Sequence, residues 1–150
     1  MCRLPSSSLL VILLVFSVPM PSFAKEYTCT IKTISELNAN GYFVTHGWAA
    51  NYLNREFTVE GNTGKVTKTT ALKQRLNNFN KNSAPTIISN AGENEPLRVF
   101  THFQDKGNYA LLEIQDIAEN NGSLKPFFYH TDVGMLLGGT CTIKPINNDN

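Results

Sequence analysis

The side chains of this chain that could do chemistry are three histidines, three cysteines and a scatter of carboxylates and hydroxyls. His46, His102 and His130 lie far apart, with no two-, three- or four-residue spacing that would set a pair of metal ligands on one element. A site could assemble only if the strands carrying His102 and His130 were neighbours, so they read as separate histidines on a sheet surface, with no metal and no cofactor. No G-x-S-x-G elbow exposes a serine nucleophile. Glu93 and Glu95 fall in a polar loop, and Glu113 and Asp116 stand three apart in a strand, which puts them on opposite faces. Gly138-Gly139 lacks the lysine and the strand–loop–helix context of a phosphate cradle. The sequence therefore predicts no catalytic group and no enzyme.

The cysteines carry a different message. Thr28-Cys29-Thr30-Ile31-Lys32 near the start recurs as Thr140-Cys141-Thr142-Ile143-Lys144 near the end. Each copy alternates polar and apolar residues as a half-buried strand does. Neither cysteine has a C-x-x-C partner or a neighbouring histidine to make it reactive. A Cys29–Cys141 disulfide tying the first and last strands is the expectation. It would close a loop of about 110 residues, worth roughly 4–5 kcal/mol in the chain-entropy model.

Such a bridge needs an oxidising compartment, and the N-terminus supplies the route. Arg3 precedes the apolar run Leu9–Val18, Pro19 and Pro21 break it, and Ser22-Phe23-Ala24 offers small residues at the cleavage positions. Residues 1–24 read as a signal peptide, removed to leave one β domain over 25–150 that is periplasmic or secreted. The run is too short to span a bilayer, which takes roughly 20 residues, and no membrane span is expected after cleavage. Cys2 precedes the run and leaves with it. Without Arg3, Lys+Arg falls from 13 to 12 against 12 Asp+Glu. Zero net charge and the lack of an aromatic-laced basic stripe speak against nucleic acid as a partner. The most basic stretch, 65–81, reads as a solvated surface.

The elements that must position these groups are mostly strands. Tyr27, Cys29 and Ile31 alternate with Thr28, Thr30 and Lys32; Phe57 and Val59 lead through Asn62-Thr63-Gly64 into Val66. Gly47–Leu53 reads as a helical turn, with Trp48 and Tyr52 four apart and Trp48 as a core plug. Leu72, Leu76 and Phe79 give residues 70–80 a helical period. Pro85 opens a strand through Ile88. From Leu97 the pattern is continuous: Leu97, Val99, Thr101 and Phe103 on one face, a turn at 105–108, a return over 109–117, a turn at 120–122, and a strand over 124–131. The fold class is mainly β, a single-domain antiparallel meander closing into a small barrel or a sandwich, with one or two short helices.

Phe127, Phe128 and Tyr129 run consecutively, so at least one must face away from the core. With His130, Met135 and Leu136 they form the candidate partner surface, rimmed by Lys125 and Asp132. The alternative is that both faces are covered, one by the core and one by the helix bearing Leu72, Leu76 and Phe79. Tyr42, Phe43 and Phe100 raise the same question.

The start Tyr27-Thr28-Cys29, the hairpin from Phe57 to Gly64 and the ending Gly139-Thr140-Cys141 resemble a class of small exported bacterial proteins of unknown function that run from a Y-x-C strand to a closing G-x-C strand. The resemblance covers residues 25–150 and implies an envelope location without an activity. The Y-x-C opening and the late cysteine are also similar to those of periplasmic inhibitors of C-type lysozymes, which are small disulfide-tied β-barrels. This chain lacks their S-G-S-G-x-R-Y loop, so no inhibitory residue is carried over. The expectation is a non-catalytic binding or accessory module whose partner is an envelope protein, with an inhibitor of a secreted enzyme (lysozyme or protease) second and a hydrolase third.

Overall fold

In a computed structural model, residues 25–67, 78, 82–90, 95–104, 107–115 and 124–145 are described. The leader at 1–24, most of the 70–80 helical window, Glu93 and Asp116 lie outside them. The strands are β1 (Lys25–Leu37), β2 (Phe43–Thr45), β3 (Glu56–Glu60), β4 (Val66–Thr67), β5 (Ser83–Ser89), β6 (Leu97–Phe103), β7 (Asn108–Ile114), β8 (Leu124–His130) and β9 (Leu136–Pro145), with one helical turn, α1 (Ala49–Tyr52), between β2 and β3. All nine form one antiparallel sheet in the order β4-β3-β1-β9-β8-β7-β6-β5, and β2 pairs with the far end of β1. The sheet curls into a half-barrel. The glycine that ends the β3–β4 turn, Gly64, comes so close to β6 that an added Cβ would stand 2.6 Å from Val99 Cγ1.

The expected terminal strands meet directly. Thr28, Cys29 and Thr30 pair with Thr142, Cys141 and Thr140, so the two copies of the pentapeptide run antiparallel about their cysteines. The Cys29–Cys141 disulfide crosses that pair, between residues 112 apart in sequence, and both cysteines are fully buried. One sheet therefore contains both cysteines. β1 bulges between Ile31 and Thr33, which re-aims the strand so that Ile31 and Ile34 both point inward.

Alternation decides the core. Leu97, Val99, Thr101 and Phe103 of β6, Ala110, Leu112 and Ile114 of β7, and Tyr27, Cys29 and Ile31 of β1 are all buried, as a half-buried sheet requires. Phe57 stands at the centre, edge-on to Phe127 at 5.2 Å and tilted against Tyr129 at 6.2 Å. Tyr129 lies deep enough that burial, with a smaller push from the Asp132 carboxylate, raises its phenol far above the ordinary tyrosine range.

Among the described strands, β4 lies at one edge of the sheet. Its backbone is met by a side chain: Asn78 Oδ1 accepts from Val66 N at 2.8 Å and Asn78 Nδ2 donates to the Gly64 carbonyl at 2.8 Å. The carboxamide of a buried asparagine thus stands in for a neighbouring strand. Asn78→Ala is expected to cost about 2 kcal/mol, since it strands a backbone donor and an acceptor away from water. Asn78→Asp should cost as much, because it sets a carboxylate oxygen against the Gly64 carbonyl. Denaturant midpoints of the two variants check this, and a wild-type midpoint in Asn78→Ala would overturn it.

Candidate functional site

Among the described residues, the most exposed large apolar side chains belong to the β1–β2 hairpin: Tyr42 at 71%, Phe43 at 65% and Leu37 at 60% of their full accessibility. Leu37 and Phe43 are directly opposite each other at its last pair. Beyond them the chain turns on Asn38. Its Oδ1 accepts from the backbone of both Asn40 and Tyr42 at 3.0 Å, its own N–H donates to the Tyr42 carbonyl at 2.9 Å, and Gly41 N donates to its carbonyl at 3.0 Å. An asparagine side chain returning to its own backbone is the reason this residue type favours tight turns. Gly41 takes φ +80° there, a conformation glycine adopts without a Cβ penalty. Four hydrogen bonds within five residues hold the apolar tip in one shape. Val44 and Trp48, farther along the chain, are exposed as well.

At the base of the hairpin stands His46. Its Nδ1 accepts from Trp48 N at 3.0 Å, its Nε2 lies 3.6 Å from Glu36 Oε2, and its ring centroid is 5.2 Å from that of Trp48. Trp48 is not the core plug its spacing from Tyr52 implies. It sits at the N-cap of α1 with φ −93° and ψ 11°, so helical phase does not yet apply to it. Tyr52 goes into the core and Trp48 stays 40% exposed.

The strand surface expected from the sequence divides by parity. Phe127 and Tyr129 point inward from β8, and Met135 is fully buried in the turn before β9, so these three are core and leave the candidate surface. The cause is register: Lys125 lies opposite the inward-facing Cys141, which commits Phe127 and Tyr129 to the same side. Phe128, His130 and Leu136 remain on the outer face, Phe128 exposed and the other two half-buried. There His130 meets Tyr109 at 5.4 Å and Tyr109 stacks on Phe100 at 5.9 Å, a row of rings across three strands. The side chains of the hairpin tip are more exposed than any ring of this row.

The histidines do not converge. β7 separates the strand of His102 from that of His130, and Tyr109, the residue opposite His102, touches the His130 ring. Among the described residues no three His, Cys, Asp or Glu side chains gather in a metal-ligand arrangement. Glu113 is held by Arg98 Nε at 2.7 Å. A cleft of about 540 Å³ opens between the β3–β4 turn and β5, lined by Glu60, Thr63, Lys65, Pro85 and Ile87 among others. It holds no histidine or cysteine. No helix among the described residues is long and apolar enough to cross a membrane.

The sequence alone does not single out the hairpin tip as a site, although it leaves open whether Tyr42 and Phe43 face away from the core. The signal was Asn38-Ala39-Asn40-Gly41 followed at once by two aromatic residues, a turn cluster whose flank should be polar if it only met water. Compared with known proteins, the chain matches no family model, no curated protein and no solved structure.

Proposed function

We propose that the protein is an exported, non-catalytic binding module that grips an envelope protein with its β1–β2 hairpin. The observation that carries this reading is the tip: three large apolar side chains, more than half exposed, on a turn fixed by Asn38. Exposed aromatic residues are costly in solution and repay the cost when they enter a partner's pocket. A turn already rigid loses little entropy on binding. The buried Cys29–Cys141 bridge supports an oxidising compartment, and the leader read over residues 1–24 supports export to it.

A narrower version makes the module an inhibitor of a secreted enzyme. The convex, uncharged shape of the tip favours it, since such a shape complements a concave apolar cleft.

The test is retention of a partner from envelope extracts on immobilised protein, followed by titration of that partner. Phe43→Ser and Tyr42→Ser should each weaken binding by about 30-fold, the equivalent of a hot-spot loss near 2 kcal/mol. Phe128→Ser, on the outer sheet face, should leave it within about twofold. The opposite pattern would move the site to the sheet face and overturn the hairpin assignment.

A further inference from the structure

We propose that His46 is a pH-sensitive latch at the base of the hairpin, holding the backbone of Trp48 when neutral and releasing it when protonated.

The ring is fixed in place by its own main chain. His46 N donates to the Ile34 carbonyl on β1 at 3.2 Å, and the His46 carbonyl accepts from Ala49 N at 2.9 Å. The side chain is only 14% exposed. Trp48 N donates to Nδ1 at 3.0 Å, and an imidazole nitrogen can accept only while it carries no proton. The neutral tautomer in this structure therefore bears its hydrogen on Nε2, facing Glu36 Oε2 at 3.6 Å. That assignment follows from the donor, because a backbone N–H cannot accept.

Protonation adds a hydrogen to Nδ1 and turns the bond to Trp48 into two donors facing each other. The Trp48 amide must then withdraw. Trp48 is the N-cap of α1, which has no side-chain cap, and its carbonyl accepts from Asn51 N at 2.9 Å to open the helical turn. Losing the histidine bond loosens the start of α1 and re-aims the indole. On the opposite side the imidazolium gains the Glu36 carboxylate, which is 44% exposed on β1. α1 brings no acidic or basic side chain to the ring, and its one titratable group, Tyr52, is buried. Among the described residues, the Glu36 carboxylate is the charged group that faces the His46 ring, at its Nε2 edge.

The indole lies exposed against His46 at the base of the hairpin, so the latch would couple acidification to a change in the surface beside the tip. That consequence rests on the hairpin reading. The latch itself is measured in the free protein, so its failure and a failure of partner binding are separate results.

Trp48 is the only tryptophan of the chain, which makes its emission a direct reporter beside the His46 ring. Titrated between about pH 8 and pH 5, the range in which histidine changes charge, wild-type emission should change in a single one-proton step. His46→Gln keeps an acceptor but cannot titrate, and its emission should be flat. The backbone amide of Trp48, followed by NMR in the wild-type chain, should shift with the same midpoint. A flat wild-type curve, a step that survives in His46→Gln, or a Trp48 amide insensitive to the transition would each overturn the latch.

Discussion

Replacing Cys29 and Cys141 together by alanine should lower the free energy of unfolding by about 4–5 kcal/mol, in the chain-entropy account of a cross-link spanning this much of the chain. The two cysteines are 112 residues apart in a chain of 150, so the bridge restricts most of the unfolded chain. A small domain has about 5–15 kcal/mol in total, and the loss is therefore roughly a quarter or more of its stability. Each single replacement should cost about as much as the double one, since either removes the same cross-link and their effects cannot add. Chemical denaturation of the three variants, beside oxidised and reduced wild type, measures this. The reduced wild-type chain should behave as the double variant does. A double variant within about 1 kcal/mol of the oxidised protein would mean that the β1–β9 pairing already orders the unfolded chain without the bond.

The second large effect belongs to Gly139. It pairs with Ile31 at the bulge of β1 and with Phe127 of β8. An added Cβ would run into the Thr30 carbonyl oxygen, with Phe127 Cε1 at 2.8 Å and Lys32 N at 3.1 Å. Two of the three obstacles are backbone held in a strand, which cannot step aside as a side chain does. Gly139→Ala should cost about 3 kcal/mol, the top of the usual range for overpacking. Gly138→Ala is the internal control. There the first obstacle is the Thr33 hydroxyl at 2.6 Å, and the next atom is at 3.9 Å. Thr33 is exposed and can swing that oxygen aside by a change of χ1, so about 1 kcal/mol or less is expected. Phe127→Leu should not rescue Gly139→Ala, because the carbonyl of Thr30 stays where it is. Thermal unfolding of the four proteins decides the matter, and equal losses at Gly138 and Gly139 would refute the backbone argument.

Strand positions were legible wherever one face was purely apolar or one residue was decisive. Leu97, Val99, Thr101 and Phe103 show their inward parity directly, and the twin cysteines name their own partner. On β8 the alternation is just as regular, yet Phe127 and Tyr129 on one parity compete with Phe128 and His130 on the other. Which set turns inward follows from the pairing of Lys125 with Cys141, a contact between distant segments that local pattern does not contain. Trp48 misled for a related reason: a spacing of four means one face only inside a helix, and α1 begins one residue later. β2 is three residues long and fully exposed, too short for any period to be visible. The edge role of Asn78 depends on which strand is left unpaired, and so it too belongs to the assembled sheet.

The bond between the first and last strands also alters what a cut in this chain means. The main chain from Cys29 to Cys141 and the bond between the two sulfurs form one covalent ring, and every turn between strands lies on it. A protease that severs a single exposed turn of an ordinary domain produces two pieces held only by their contacts. Here the same cut opens the ring into a line, and both ends remain attached to the same molecule. Two cuts are needed before anything can diffuse away. The strand contacts hold the shape while the ring holds the parts together, and damage at one turn leaves the second guarantee in force.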